Sequence, residues 1–469
     1  GATVSVPLLL GPAMQMSPAE IARLISAVML CSGLATLVQA TFGTRLPIVQ
    51  GVSFAFLSAF FLIIASVADE AAATGQAVGP LAMRYIAGAV IAGAVVEMVF
   101  GFSGLVGTLR KVLSPVVIGP VIMLIGLALF QHGAPKAGTH WPIAGLTILL
   151  IIVFSLVLSR KKRFFQLFPI LTAVAVVTTL CFVLSRTGVF PPGHPSYINL
   201  EPVREAQWIR LSPSELIFPW GWPKFHLGFF LAVLAGYLAS IIESVGDYHA
   251  VSYMAGKGDP SSRQLNRGIG SEGIGCFLTG VFGGFASTSY SENIGLVGLT
   301  KVVSRWVVQV GGVILVLLGI FGKFGGLAAA IPGSVVGGLY CALFGLIAAI
   351  GVQQLARADL NSDRNLFIAG FSLFMGLSMP AYFAARGSVD GLLPGQMLAL
   401  YLPSVEGHLA WMGDTLAGIV TAIGSTGMAV AAIFGILLDN LVPGSDEERG
   451  LTPSLLVPEG GDLGVGDEP

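Results

Sequence analysis

The chain has 469 residues, 54% of them hydrophobic and only 10% charged, with a mean hydropathy of +0.84. Soluble domains carry about 25% charged residues, so this composition excludes a soluble globular protein and indicates a polytopic membrane protein. The formal net charge is −1 and the basic residues sit in short loops rather than in a patch, which excludes a nucleic-acid partner.

Gly1–Leu10 is apolar but about half the ~20 residues of a full span. It lacks the basic flank of a signal peptide and reads as the second half of a first helix. Apolar segments follow at Ile21–Ala40, Val49–Ser66, Met83–Phe102, Leu113–Phe130, Pro142–Leu158, Phe168–Leu184, Phe225–Tyr248, Gly268–Phe285, Ser289–Leu299, Trp306–Ile320, Val335–Val352, Leu366–Met379 and Gly427–Leu441. With the half-span they make about fourteen crossings. Alternate loops carry Arg45; Arg110 and Lys111; Arg160–Arg163; Lys257, Arg263 and Arg267; Lys301 and Arg305; and Arg357 and Arg364. The positive-inside rule makes that side cytoplasmic and puts both termini inside. The longest loop, Ser185–Lys224, then lies outside, with Trp208, Trp220 and Trp222 placed for the membrane interface. Asp414–Ser425 is amphipathic and reads as lying flat on the membrane. Gly444 and the acidic run Asp446–Glu448 read as a solvated end.

Two segments interrupt this pattern. Val49–Phe56 (VQGVSFAF) and Ser287–Gly295 (STSYSENIG) are short, polar and glycine-bearing, and both lead into apolar helix. They fall near the third and tenth crossings. Broken spans at corresponding positions of two halves point to a transporter site, and an odd number of crossings per half makes the repeats inverted. The alternative is two re-entrant or poorly packed helices with no shared role.

Acidic residues in these apolar stretches carry the chemistry. A carboxylate at a span centre costs roughly 2.5–3.5 kcal/mol on insertion scales. Glu243 and Asp247 are four residues apart and share one helix face, while Glu292 and Asn293 follow the second break. Unwound backbone there can bind a polar ligand. Val52–Phe56 offers open backbone and Phe54, whose ring can stack on a planar ligand. Ionised carboxylates only accept hydrogen bonds, so a pocket holding two of them suits an N–H-rich, uncharged ligand. A purine or pyrimidine base fits, and an ascorbate anion fits worse.

Other features have plainer readings. Gly268-x-Gly270-x-x-Gly273 matches a dinucleotide fingerprint by letter but follows a basic loop rather than a strand. Gly280-x3-Gly284 reads as helix packing. Glu272 is either an interfacial acid or a support for Glu243 or Glu292. Glu97 lies in an apolar span with no partner that the sequence names. His249 reads as a helix-end residue. Nothing groups the outer-loop histidines or the four cysteines (Cys31, Cys181, Cys276, Cys341) as metal ligands, and no cofactor is expected.

Glu292-Asn293-Ile294-Gly295 followed by Thr300-Lys301 resembles the signature of the nucleobase–ascorbate transporters: an acid, Gln or Pro, then N-x-G, four residues, Thr and a basic residue. Glu243–Asp247 resembles that family's eighth-helix motif, Gly43–Phe56 its third-helix start and Leu438–Gly450 its C-terminal end. The resemblance spans essentially the whole chain. It implies an all-α membrane fold of fourteen segments in two inverted seven-helix repeats, with short strand-like breaks in the third and tenth. It also implies a core domain, a gate domain that mediates a homodimer, and elevator transport driven by a cation gradient. Placed on this chain, the core comprises 1–110 and 227–330 and the gate 111–186 and 331–445. An outer loop covers 187–226 and a cytoplasmic tail 446–469. By the same resemblance Glu243 and Glu292 hold the base, Phe54 contacts it and the Ser291 backbone amide meets it. Asp247, Asn293, Glu272, Thr300 and Lys301 support binding or coupling. The family's Gln-His pair in the first helix has no counterpart after Gly1. Vertebrate ascorbate carriers have Pro where this chain has Glu292, although SYSENIGLVGLTK and GKFGGLAAAIP resemble the ascorbate branch.

The expectation is therefore a secondary active importer of a nucleobase in a plasma or bacterial inner membrane. The substrate is a xanthine- or uric-acid-type purine or uracil, and the coupling ion is H⁺, with Na⁺ the alternative. The rivals are a Na⁺–ascorbate symporter, an anion exchanger and a membrane enzyme. No Ser/His/Asp or metal-ligand grouping favours the enzyme.

Overall fold

A computed structural model of the chain describes residues 2–106, 112–300, 302–389, 420 and 423–451, without the side chains of 2, 292, 295, 296, 298, 299 and 384–389. Arg110, Lys111, Lys301, most of the amphipathic Asp414–Ser425 stretch and the tail beyond 451 lie outside the described residues.

Among the described residues, fourteen helices of ten or more residues run in chain order: α1 (Ala2–Ala13), α2 (Pro18–Thr41), α3 (Leu57–Thr74), α4 (Val78–Phe102), α5 (Pro115–Leu127), α6 (Trp141–Ile152), α7 (Pro169–Arg186), α8 (Leu227–Met254), α9 (Ser262–Val281), α10 (Ser291–Thr300), α11 (Arg305–Ile320), α12 (Gly333–Leu355), α13 (Asp363–Val389) and α14 (Gly427–Leu441). Strands β1 (Gln50–Val52) and β2 (Ser287–Ser289) precede α3 and α10. Among the described residues nine helical stretches are long and apolar enough to cross a membrane, and α11 with the short helix Gly322–Ala329, bent by 81°, makes a tenth. The remaining four are exceptions of composition or length. α1 and α14 are apolar but short. α9 is diluted by glycine, Arg263, Arg267 and Glu272. α10 has only 10 residues, about 15 Å at 1.5 Å per residue, and β2 supplies the other part of its crossing.

The packing repeats with exchange of the two halves. α4 lies along α9 as α11 lies along α2, and these are the two most extensive helix pairs; α5 packs on its own counterpart α12. The counterparts α2 and α9 even start alike. Ser17 caps α2 in a capping box with Glu20, and Ser261 caps α9 in one with Gln264. The strands pair antiparallel, Gln50 with Ser289, Gly51 with Thr288 and Val52 with Ser287. Equivalent strands can lie side by side antiparallel only if the halves are related by a two-fold between them, so the repeats are inverted. Close approach of α4 and α9 depends on glycine: a Cβ on Gly101 would lie 2.2 Å from the Gly270 amide nitrogen.

Lipid-facing residues form stripes. On α11, Trp306, Val307, Val310, Ile314 and Leu317 are exposed at helical spacing. Two sequence expectations need correction. Trp220 is buried and donates Nε1–H to Gly283 O at 3.0 Å, so only Trp208 and Trp222 are exposed in the outer loop. Of the run Asp446–Glu448, Asp446 and Glu447 are exposed as expected, but Glu448 is docked. Ser362 Oγ donates to Glu448, Asn365 Nδ2 donates to Glu448 O at 2.8 Å, and buried Asp439 bridges Arg364 (3.0 Å) and Arg449 (2.8 Å). Removing a solvated carboxylate from water requires such paired cations.

Candidate functional site

The site forms where the two breaks meet. Thr36 Oγ1 on α2 donates to Gln50 O (3.1 Å) and accepts from Gln50 N (2.9 Å), which fixes β1. Ser53 Oγ accepts from Ala55 N at 3.1 Å and starts the single turn Phe54–Phe56. Beyond the strands, Ser53 N donates to Ala286 O and Tyr290 N to Val49 O. Gly51 is required here, because a Cβ would fall 2.2 Å from the Tyr290 hydroxyl.

Between the breaks lies a narrow chamber with a cavity volume of about 20 Å³, lined by Val52, Ser53, Phe54, Ile122, Ile125, Glu243, Thr288, Ser289, Tyr290, Ser291, Ile347 and Ile350. That is room for about one water molecule, so a base can enter only when the walls move apart. Its walls differ. Isoleucines three residues apart on α5 and α12 make one side apolar, while Glu243 and the hydroxyls of β2 and α10 make the other polar. Phe54 meets Phe344 edge to face at 5.8 Å, and Phe344 stacks on Tyr340 at 5.3 Å. Ser291 opens α10, which aims the positive end of that short helix at the chamber.

Behind the polar wall runs a chain of hydroxyls. Ser291 Oγ lies 3.3 Å from Glu243 Oε1 and 2.9 and 3.0 Å from the two Asp247 oxygens, so one donor bridges the two carboxyls. Ser289 Oγ donates to Asp247 Oδ2 at 3.0 Å and meets Ser244 Oγ at 2.8 Å. Ser244 in turn reaches both Glu272 oxygens (2.9 and 2.7 Å), which also accept from Ser240 (2.9 Å), Tyr248 (2.8 Å) and Gln50 (3.5 Å). α8 is buried on every side from Ala239 to Tyr248, and its small Ser240 and Ser244 leave room for Glu272 between α8, α9 and β1. Arg357 follows the C-terminal end of α12. Burial draws its guanidinium below its ordinary value, and Asp247 opposes that fall.

The structure thus gathers Glu243, Phe54 and Ser291 at one chamber and places Asp247 directly behind it. Glu272 is 1% exposed, which rules out the interfacial reading, and it joins the chamber through Ser244 and Ser289. Asn293 sits in the first turn of α10, its amide donating to Tyr290 O. Thr300 ends α10, about 13 Å along the helix from Ser291. There its Oγ1 accepts from Val302 N, so it does not reach the chamber. The Glu292 backbone belongs to the first turn of α10, but its side chain and Lys301 lie outside what is described. His249 is not at the helix end, since α8 continues to Met254; Nδ1 bonds Val245 O one turn back. The glycines of the fingerprint-like stretch pack against Tyr248, Phe102 and Met98.

Sequence reasoning missed Tyr290, Ser289 and the four isoleucines. Tyr290 was visible as an aromatic beside a break; its hydroxyl meets Thr3 Oγ1 at 2.9 Å, which brings α1 to the site. It also missed that His140 and His194 come together, ring centroids 4.8 Å apart, joined through Ser196. No group of three or more metal-ligating side chains occurs among the described residues.

A family model described as "Permease family" matches residues 1–385. Human solute carrier family 23 member 2 is 36% identical over 96% of this chain and 72% of its own length. Mouse solute carrier family 23 member 1 is also 36% identical, over 96% and 77%. Nucleobase-ascorbate transporter 1 of Arabidopsis thaliana is 34% identical, over 96% and 86%. Among solved structures, the transmembrane domain of the cyanobacterial bicarbonate transporter BicA aligns with a TM-score of 0.50 at 17% identity, covering 90% of this chain and 94% of that one, a likeness of fold alone. With its inverted repeats, paired breaks and full-length relatives that are transporters, the chain belongs to the nucleobase–ascorbate transporter family and is an integral multi-pass membrane protein.

Proposed function

We propose that this transporter carries a neutral nucleobase, a xanthine-type purine or uracil, into the cell together with a proton. One observation carries the substrate choice. The described residues lining the chamber include the carboxylate of Glu243 and no lysine, arginine or histidine. An ascorbate anion would meet an acid in low dielectric, and the described lining offers it no basic side chain. A neutral base can donate ring N–H groups to Glu243 and accept from the Ser291 amide, with its faces between Phe54 and the isoleucines. Glu292 is the second acid in this reading.

The contrast between walls supports an elevator. The polar wall belongs to α8, α10 and the strands, and the isoleucine wall to α5 and α12. A substrate held by the first can slide past the second, because an apolar wall makes no directional bonds to break. In this reading α1–α4 with α8–α11 move as the core against α5–α7 with α12–α14, and two copies pair through the latter. Cross-linking in membranes tests that pairing.

Uptake of labelled xanthine and uracil in transport-deficient cells, with unlabelled ascorbate as competitor, tests the substrate. Saturable base uptake that ascorbate leaves intact is expected; ascorbate uptake without base uptake overturns the reading. At clamped membrane potential, uptake should collapse when the pH gradient is abolished, and dependence on Na⁺ alone would rule out the proton. Glu292→Gln should alter base preference or affinity in a folded protein, and unchanged kinetics for every base would remove Glu292 from the site.

A further inference from the structure

Glu97 on α4 has no place in the chamber, yet it is 1% exposed in the middle of the bundle. Neither of its carboxyl oxygens has a hydrogen-bond partner among the described residues. Its surroundings can be named element by element. α9 crosses α4 at this level, where a Cβ on Gly273 would lie 2.8 Å from the Met98 amide nitrogen and 3.0 Å from Ala94 O. α9 thereby brings Glu272 and Cys276 to bear on Glu97. The Cys276 thiol donates to Ser287 O at 3.1 Å and is a weak second donor toward Glu97 at best. α8 contributes Tyr237, whose hydroxyl is spent on Val90 O (2.8 Å), and Tyr248, which donates to Glu272. On α3, Glu70 is engaged at the outer end of the bundle by Lys224 and Tyr85. No basic side chain among the described residues pairs with Glu97.

The imbalance extends to the neighbours. Gln50 Oε1 and Gln39 Oε1 are also buried without a donor among the described residues. Two carboxyls and two amide oxygens thus share a region whose donors are already used. Two buried anions side by side without a cation are not a stable arrangement. One positive charge resolves it. Glu272 already accepts from two serines, a tyrosine and a glutamine amide, which favours its ionised form. The added charge therefore belongs at Glu97.

We propose that Glu97 is a proton-binding residue of the carrier, paired with Glu272 and connected through Ser244, Ser289, Asp247 and Ser291 to the carboxylate of Glu243. Each serine hydroxyl in that chain can turn and donate in either direction. Loading a proton on Glu97 changes the pair from two negative charges to one and frees Glu272 to release a donor toward the chamber. Unloading restores the demand. The state of a site outside the chamber is thereby felt by the group that meets the substrate. This rests on the proton-coupled reading above, and the test separates the two.

Purified wild-type and Glu97→Gln protein in liposomes are compared for three signals with xanthine or uracil, whichever the wild type carries. These are exchange of labelled base, accumulation driven by an imposed pH gradient, and base-induced proton entry read by an internal pH dye. Glu97→Gln should retain exchange, while accumulation falls to an inside-to-outside ratio of one and proton entry falls to background. Ser244→Ala, which cuts the connection and leaves Glu97 in place, should likewise bring proton entry to background. Infrared spectroscopy gives a readout independent of transport: wild type and Ser244→Ala should show a protonated-carboxyl band that Glu97→Gln lacks. Full proton entry in Glu97→Gln, or persistence of that band, overturns the proposal. Accumulation by wild type on a Na⁺ gradient alone overturns it equally. If the wild type moves no base, the functional reading fails, and the infrared band still decides whether Glu97 holds a proton.

Discussion

The two breaks share a backbone and differ in chemistry. Strand register makes Ser53 and Phe54 the counterparts of Tyr290 and Ser291, each pair following its strand. In the first half the hydroxyl comes first and caps a turn, and the aromatic faces the chamber against Phe344. In the second half the aromatic comes first and bonds Thr3, and the hydroxyl reaches Glu243 and Asp247. The same inversion holds one layer out. α8 brings Glu243, whereas its counterpart α1 brings Thr3 and the Ser5 carbonyl that accepts from Tyr340 at 2.7 Å. Backbone symmetry builds the chamber, and loss of side-chain symmetry gives it a polar and an apolar side.

If the polar side alone selects the ligand, removing its acid has the largest effect. Glu243→Ala should abolish uptake and binding of labelled base while the protein still reaches the membrane. Normal uptake by this variant would place the site elsewhere. The next largest effect comes from the shared backbone. Gly51→Ala puts a methyl against Tyr290, a ring that lines the chamber and is tied to Thr3, so that ring must shift. Overpacking of this kind costs about 1–3 kcal/mol. Uptake should fall at least tenfold with a lower melting temperature of the purified protein, and a variant with unaltered transport would show that the strands separate freely.

Much of this was legible in the sequence, for physical reasons that also mark the limits. The breaks announced themselves because glycine and serine cannot sit unpaired in lipid, and Glu243 because a buried acid is expensive. Of the fourteen expected crossings nine, or ten with the bent pair, are long and apolar enough among the described residues; α1 and α14 are too short, α10 is short and α9 carries polar residues that face protein. The hydroxyl chain was not legible. Ser240, Ser244 and Ser289 are ordinary residues in a membrane helix or strand, and only their convergence on Glu272 and Asp247 gives them a role. The isoleucine wall was hidden likewise, because a chamber lining and a lipid-facing surface use the same residues. The docked Glu448 was missed because an acidic run after the last span carries no sign of the Ser362 and Asn365 that receive it.

Two smaller substitutions weigh the halves against each other at equivalent positions. Ser291→Ala removes the donor shared by Glu243 and Asp247. Hydrogen bonds to charged groups contribute about 1.5–3 kcal/mol, so KM for the base should rise roughly tenfold or more with the chamber otherwise intact. An unchanged KM would mean that the bridge is incidental to binding.

Phe54→Leu tests the opposite half and should do least. Leucine keeps the apolar surface and loses the ring, whose edge-to-face contact with Phe344 and stacking on a planar ligand are together worth about 0.5–1.5 kcal/mol beyond burial. KM should rise roughly two- to tenfold for a planar base, with maximal uptake nearly preserved, because the chamber keeps its acid and its strands. A larger loss than Ser291→Ala would reverse the assignment of roles: the aromatic half would then select the ligand and the polar half would merely tolerate it. No loss at all would mean that the base lies against the isoleucines of α5 and α12 and leaves the first break to shape the backbone only.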